Sequence, residues 1–164
     1  MRLKAILFLA GCCLCGNSCS NKVDEQGKYM LSEMKDWQEY NDEGFAVKYP
    51  GDVTINKSTP VEDFNVYKFI CNGREILGAY VGNQPSFHQD VKSGRKLQRG
   101  HINKLSFEAV QDVNDKMTSR QVLISLNIDS GWPKYVHFWY SNLSQKEVEI
   151  AEGIINSIRN PLKK

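Results

Sequence analysis

Four of the five cysteines crowd between positions 12 and 19, as Cys12, Cys13, Cys15 and Cys19, and the fifth is Cys71. Thiols this dense invite a metal, a disulfide or a covalent modification. The run Cys12-Cys13-x-Cys15-x-x-x-Cys19 has no second ligand pair at zinc-ribbon spacing, so a metal site is not expected there. The three histidines, His88, His101 and His137, stand in no His-x-x-x-His or His-Glu-x-x-His arrangement that would set two imidazoles on one helical face. His88-Gln89-Asp90 offers two loop ligands at most, and His137 lies in an aromatic run where a core histidine is the plainer reading. Cys71 with a histidine would make a thiol nucleophile and base. However, Tyr67, Phe69 and Cys71 alternate along one strand face, which marks the thiol as a small core residue. Glu108 and Asp112 share a strand face at a separation of roughly 13 Å, too far for a carboxylate pair. No Gly-x-Ser-x-Gly elbow, phosphate-binding glycine loop or dinucleotide fingerprint is present. No catalytic set, metal or cofactor is therefore expected. Trp132, in Gly131-Trp132-Pro133 at a turn, is the candidate partner-binding residue, because an aromatic at a loop tip can anchor a partner.

The cysteine cluster belongs to a leader. Arg2 and Lys4 precede the apolar stretch Ala5 to Ala10, and Gly11 to Ser20 is rich in small residues, which is the layout of an export signal. The uncharged run from Ala5 to Ser20 is shorter than the roughly 20 residues a membrane-spanning helix needs. Leu9-Ala10-Gly11-Cys12 resembles the lipobox of bacterial lipoproteins, but cleavage there would leave an unusually short signal. Cys19 gives a better length, and Ser20-Asn21-Lys22 after it looks like a lipoprotein tether, although Gly16-Asn17-Ser18 departs from the usual lipobox. Cys19 and Cys12 are both lipidation candidates, with Cys19 preferred. The expected organisation is a signal over 1–18, a tether over 19–27 and one domain over 28–164. Processing at Cys19 would leave Cys71 as the one unmodified thiol, which excludes an internal disulfide framework in that form.

Composition sets the class. Of 164 residues 41% are hydrophobic and 24% charged, as in ordinary globular proteins. The formal charge of +2 resides in Arg2 and Lys4, so the rest of the chain balances 19 basic against 19 acidic residues. A neutral body lacks the cation cluster that displaces counterions from phosphates, and no nucleic-acid partner is expected.

The elements that would position any site are mostly strands. Met30, Met34 and Trp37 recur at helical spacing and predict a short amphipathic helix from about Lys28, its apolar residues serving as core. Asn41 to Gly44 is turn chemistry before a strand over Phe45–Tyr49, which Pro50-Gly51 stops. Val66–Cys71 and Glu75–Val81 flank Asn72-Gly73, the signature of a tight hairpin. Ser86–Arg99 reads as a polar surface excursion. A second hairpin is expected from Ile102–Val113, around Asn114-Asp115, to Met117–Ile128, with Val122, Ile124, Leu126 and Ile128 on one face. Asp129-Ser130-Gly131 turns the chain again. Tyr135–Tyr140 is apolar on both faces and predicts a central strand covered on both sides. Ser144-Gln145-Lys146-Glu147 is a capping box, with Leu143 and Val148 placed as a hydrophobic staple. Val148, Ala151, Ile154, Ile155 and Ile158 then make one apolar helical stripe, ended by Asn160-Pro161.

Tyr40 with Gly44-Phe45-Ala46-Val47-Lys48-Tyr49-Pro50, and the closing run from Tyr135 to Ser141 followed by a capped helix ending Ile154-Ile155-Asn156-Ser157-Ile158, resemble the PsbP-like superfamily, which includes DcrB-like small bacterial lipoproteins. The tryptophan usual after Tyr-Pro in that family is absent, Gly51-Asp52-Val53-Thr54 standing in its place. The resemblance covers about residues 37–159. It implies an α+β fold, an antiparallel β-sheet sandwiched by helices, and a binding or assembly role without a shared catalytic set.

The functional expectation is a lipoprotein of the bacterial envelope, held by its N-terminal lipid at the periplasmic or outer-membrane face. There it would act as a non-catalytic binding or assembly module for another envelope protein. An immunity or inhibitor lipoprotein, and a small hydrolase using Cys71 or the histidines, are the alternatives.

Overall fold

Residues 36–42, 44–61, 63–87, 95–114, 117–126 and 131–161 are described by the computed structural model of the chain. The leader with Cys12 and Cys19, the tether, the helix expected from Lys28, His88, and the turn residues Asp115, Asp129 and Ser130 lie outside the described residues, as does Ile128.

Strands β1 (Gln38–Asp42) and β2 (Phe45–Tyr49) form a separate two-stranded hairpin. The main sheet contains β3 (Val53–Val61), β4 (Phe64–Cys71), β5 (Arg74–Gly82), β6 (Lys96–Ile102), β7 (Leu105–Asn114), β8 (Met117–Ser125) and β9 (Tyr135–Leu143). Its seven strands lie in the order β3-β4-β5-β9-β8-β7-β6, and every neighbouring pair is antiparallel. Helix α1 (Gln145–Asn156) follows. The protein is therefore a mixed α+β fold dominated by antiparallel sheet, and among the described residues α1 is its one helix.

Turn chemistry explains two of the hairpin connections. Asn72 and Gly73 take φ of +50° and +77°, the left-handed pair that a two-residue hairpin requires. A second such pair was not expected: Asn103 and Lys104 adopt φ of +48° and +69°. They split the strand expected over Ile102–Val113 into the end of β6 and the start of β7, and β6 takes up the last residues of the expected polar excursion. A lysine in the left-handed region is disfavoured on its own. The turn is held from outside, because the Asn103 amide donates at 2.9 Å to the carbonyls of both Asn156 and Ile158 at the end of α1.

The core lies between one face of the sheet and a layer made by α1 and the β1–β2 hairpin. Tyr67, Phe69, Leu77, Ala79, Val122, Ile124, Val136 and Phe138 fill the sheet side, and Ala151, Ile154, Ile155 and Ile158 come from the predicted stripe. Burying each isoleucine contributes about 1.5–3 kcal/mol. The N-terminus of α1 is capped as expected: the Glu147 carboxylate accepts from the Ser144 N–H at 2.8 Å and from its hydroxyl at 2.7 Å. These bonds, helped by Arg74, hold the Glu147 carboxyl below its ordinary range. The mid-helix Gly153 has its reason in packing, because a Cβ there would lie 2.5 Å from the Trp37 indole.

Beyond α1 the chain returns to the hairpin, where Ala46 and Arg159 exchange two 2.9 Å backbone bonds. Asp42 fastens the other end of the hairpin. Its carboxylate accepts from Tyr40 (3.0 Å), Tyr67 (3.1 Å) and Lys57 (2.8 Å), over the edge-on rings of Phe45 and Tyr67.

Candidate functional site

Because β5 and β6 run in the same direction with β9, β8 and β7 between them, residues 83–95 must cross about four strand spacings, roughly 19 Å. Phe87, at the described start of this connection, lies on the face opposite α1. Phe87 meets His137 edge-on, with centroids 5.5 Å apart, and His137 points away from its core-facing neighbours Val136 and Phe138. His137 and Val110 are both buried on this second face.

Among the described residues no helix covers the rest of that face, which is largely apolar. Phe64, Val66 and Ile70 from β4, Tyr80 from β5, Leu123 from β8, and Tyr135 and Trp139 from β9 are half-buried, and none belongs to the core cluster. Phe64 and Tyr80 stack at 5.1 Å. Two open grooves occupy opposite ends of the strands. One, of about 570 Å³, is bounded by His101, Ser106, Glu108, Ser125 and Tyr135. The other, of about 520 Å³, is bounded by Arg95, Asp112, Ser119, Gln121 and Trp139. Charges on this face are matched: Arg99 with Glu108 at 2.8 Å, Arg95 with Asp112 at 3.8 Å, and Lys68 with Glu75 at 3.0 Å. Exposed pairs of this kind contribute about 0–1 kcal/mol each. Each pair among these described residues is neutral in sum.

Trp139 has a particular seat. It pairs with Gly78 on one side and Gln121 on the other. A Cβ on Gly78 would lie 2.3 Å from the ring-fusion carbon Cε2 and 2.5 Å from its neighbours Nε1 and Cζ2. An atom approaching in the ring plane would reach the two outer atoms first. The indole therefore lays its face on Gly78, and its other face is turned away from the sheet.

The residues singled out from sequence are dispersed. Cys71 is buried on the core face, across the sheet from His137, so the two cannot act together. Burial, and then the Asp52 carboxylate that its S–H meets at 3.7 Å, push the thiol above its ordinary value. It stays protonated near neutrality, and the thiol form is a poor nucleophile. His101 and His137 are separated by three strand spacings, roughly 14 Å. Among the described residues no group of three His, Cys, Asp or Glu side chains is placed to hold a metal ion.

Trp132 is half-buried against the core, and its indole N–H donates to the Asp63 carbonyl at 2.8 Å. Next to it, Pro133 packs over Gly44 and Asn83 accepts from the Lys134 N–H at 2.9 Å. Trp132 thus ties the 131–134 segment to the β3–β4 turn. The sequence around Trp139 shows an aromatic strand and nothing more specific. The signal for its seat was Gly78, a glycine inside a strand where a close approach is the usual reason. No helix among the described residues is long and apolar enough to cross a membrane. No family model and no curated protein matches the chain.

Proposed function

We propose that this protein is a non-catalytic binding or assembly module of the bacterial envelope, held at a membrane by acyl chains on Cys19 or Cys12, and that it engages its partner through the open sheet face. The observation that carries the reading is the unequal treatment of the two faces. One is sealed by α1 and the β1–β2 hairpin, whereas the other keeps seven half-buried apolar side chains, Phe64, Val66, Ile70, Tyr80, Leu123, Tyr135 and Trp139, outside the core. Contiguous apolar surface rimmed by polar groups marks interaction sites. The protonated, buried Cys71 and the separation of His101 from His137 favour binding over catalysis.

The anchor rests on the basic, apolar and small-residue leader. With each buried methylene contributing about 0.8 kcal/mol, two or more chains give stable attachment. The PsbP-like resemblance is part of the same proposal: the opening hairpin, the central aromatic strand and the capped closing helix support it, and it would place a second helical layer on the sheet. The test is site-specific photo-crosslinking of the full chain in cells. Probes at Ile70 and Leu123 on the open face should give discrete adducts in the membrane fraction, whereas a probe at Glu149 on α1 should not. Equal labelling from all three, or none from the open face, rejects the reading.

A further inference from the structure

We infer that the groove beside Trp139 binds a neutral oligosaccharide, with the indole as its stacking platform. This deepens the binding role proposed for the open face and rests on it. The Trp139 indole lies face-on against Gly78, which fixes one ring face on the backbone and turns the other away from the sheet, with the His137 ring beside it at 5.6 Å. Pyranose rings offer a matching plane of C–H bonds on one side and hydroxyls around the rim. The groove supplies partners for such a rim. Gln121 is directly across from Trp139 in register, Ser119 and Ser141 line the same trough, and Arg95 with Asp112 closes its end.

Charge selects within the saccharides. Arg95 is balanced by Asp112, and Arg120, at the groove edge, by Glu152, so among the described residues the groove's cations are paired. Among the described residues a polyanion would find no uncompensated cation in the groove, and a purely apolar ligand would strand the Arg95–Asp112 pair and Gln121 out of water. A neutral polyhydroxylated ligand satisfies both conditions. The volume of about 520 Å³ lies within the ~300–1,000 Å³ typical of small-ligand sites.

The experiment uses the full chain in a sugar-free detergent, titrated separately with chitotetraose, cellotetraose and maltotetraose. Binding is followed by calorimetry and by the indole N–H resonance of Trp139, assigned through its loss in Trp139→Phe. At least one tetrasaccharide should bind saturably and shift that resonance. Trp139→Ala should weaken binding about tenfold or more, Trp139→Phe less, and Gln121→Ala measurably. If Trp139→Ala does not fold cooperatively, Trp139→Phe and Gln121→Ala decide the matter. Binding of none of the three sugars, or binding indifferent to these substitutions, overturns the inference. Protein adducts from Ile70 and Leu123 together with no sugar binding would sink the saccharide assignment and leave the open-face reading standing.

Discussion

Replacing Gly78 by alanine tests the seat of Trp139, the feature on which the character of the open face depends. The added methyl would lie 2.3 Å from Cε2 and 2.5 Å from Nε1 and Cζ2, where carbon contacts normally settle at about 3.5–4.0 Å. The indole must leave. Two effects oppose each other. Alanine gives up less backbone entropy on folding than glycine, worth about 0.5–1 kcal/mol in favour of the variant. Overpacking a seated side chain costs about 1–3 kcal/mol. The clash wins, and Gly78→Ala should destabilise by about 1–2 kcal/mol. With Trp139→Ala also present the obstruction is gone and the sign reverses, so that adding Gly78→Ala should stabilise by about 0.5–1 kcal/mol. Urea unfolding of the four proteins of this cycle, followed by circular dichroism, measures both values. A neutral or stabilising Gly78→Ala in the presence of Trp139 would refute the face-on seat.

Asp42→Ala removes the acceptor shared by Tyr40, Tyr67 and Lys57. It should cost about 2–4 kcal/mol in urea unfolding and make the β1–β2 hairpin cleavable by limited proteolysis; resistance equal to that of wild type would show that the hairpin is held otherwise. Burial, and then the hydrogen bond and charge of Asp42, push Tyr40 up to about 12, and Tyr67 and Tyr140 are raised by burial and by Asp42 and Glu152 respectively. A raised folded value means that the fold holds the phenolic proton more tightly. The resulting stability is complete below the unfolded value near 10 and is lost as pH rises from about 10 towards 12. Tyrosinate absorbance should therefore rise late for these three residues and coincide with loss of cooperative unfolding, whereas full ionisation in the intact fold by pH 10.5 would contradict it. Cys71, buried and protonated, should resist iodoacetamide at pH 8 in the native protein and react on unfolding in urea; rapid native alkylation would return the thiol to the list of candidate nucleophiles.

What could be read in advance followed the locality of the signal. The Asn72-Gly73 hairpin and the Ser144–Glu147 cap are set by neighbours within four residues, and both formed as the side-chain chemistry dictates. The stripe Val148, Ala151, Ile154, Ile155 and Ile158 is equally local; all but the half-buried Val148 are buried, although the helix ends at Asn156 and leaves Ile158 beyond it. The Asn103-Lys104 turn was not legible, because its left-handed lysine is stabilised by carbonyls more than fifty residues away. Strand β3 was passed over for another reason: Val53 and Ile55 are followed by Asn56, Lys57, Ser58, Thr59 and Pro60, a composition only an edge strand accommodates. The open face was the hardest to see. Tyr135 to Tyr140 announced two apolar faces, but only the strand order shows that His137 is covered by Phe87 while Trp139 is left beside a groove.

The proposed attachment is the condition under which the open face would meet a partner, and intact mass measurement of the protein extracted from native membranes tests it most directly. The account predicts a chain beginning at an acylated cysteine, Cys19 or Cys12, recovered with the membrane. An unmodified polypeptide that retains Met1 and stays in the soluble fraction would contradict it.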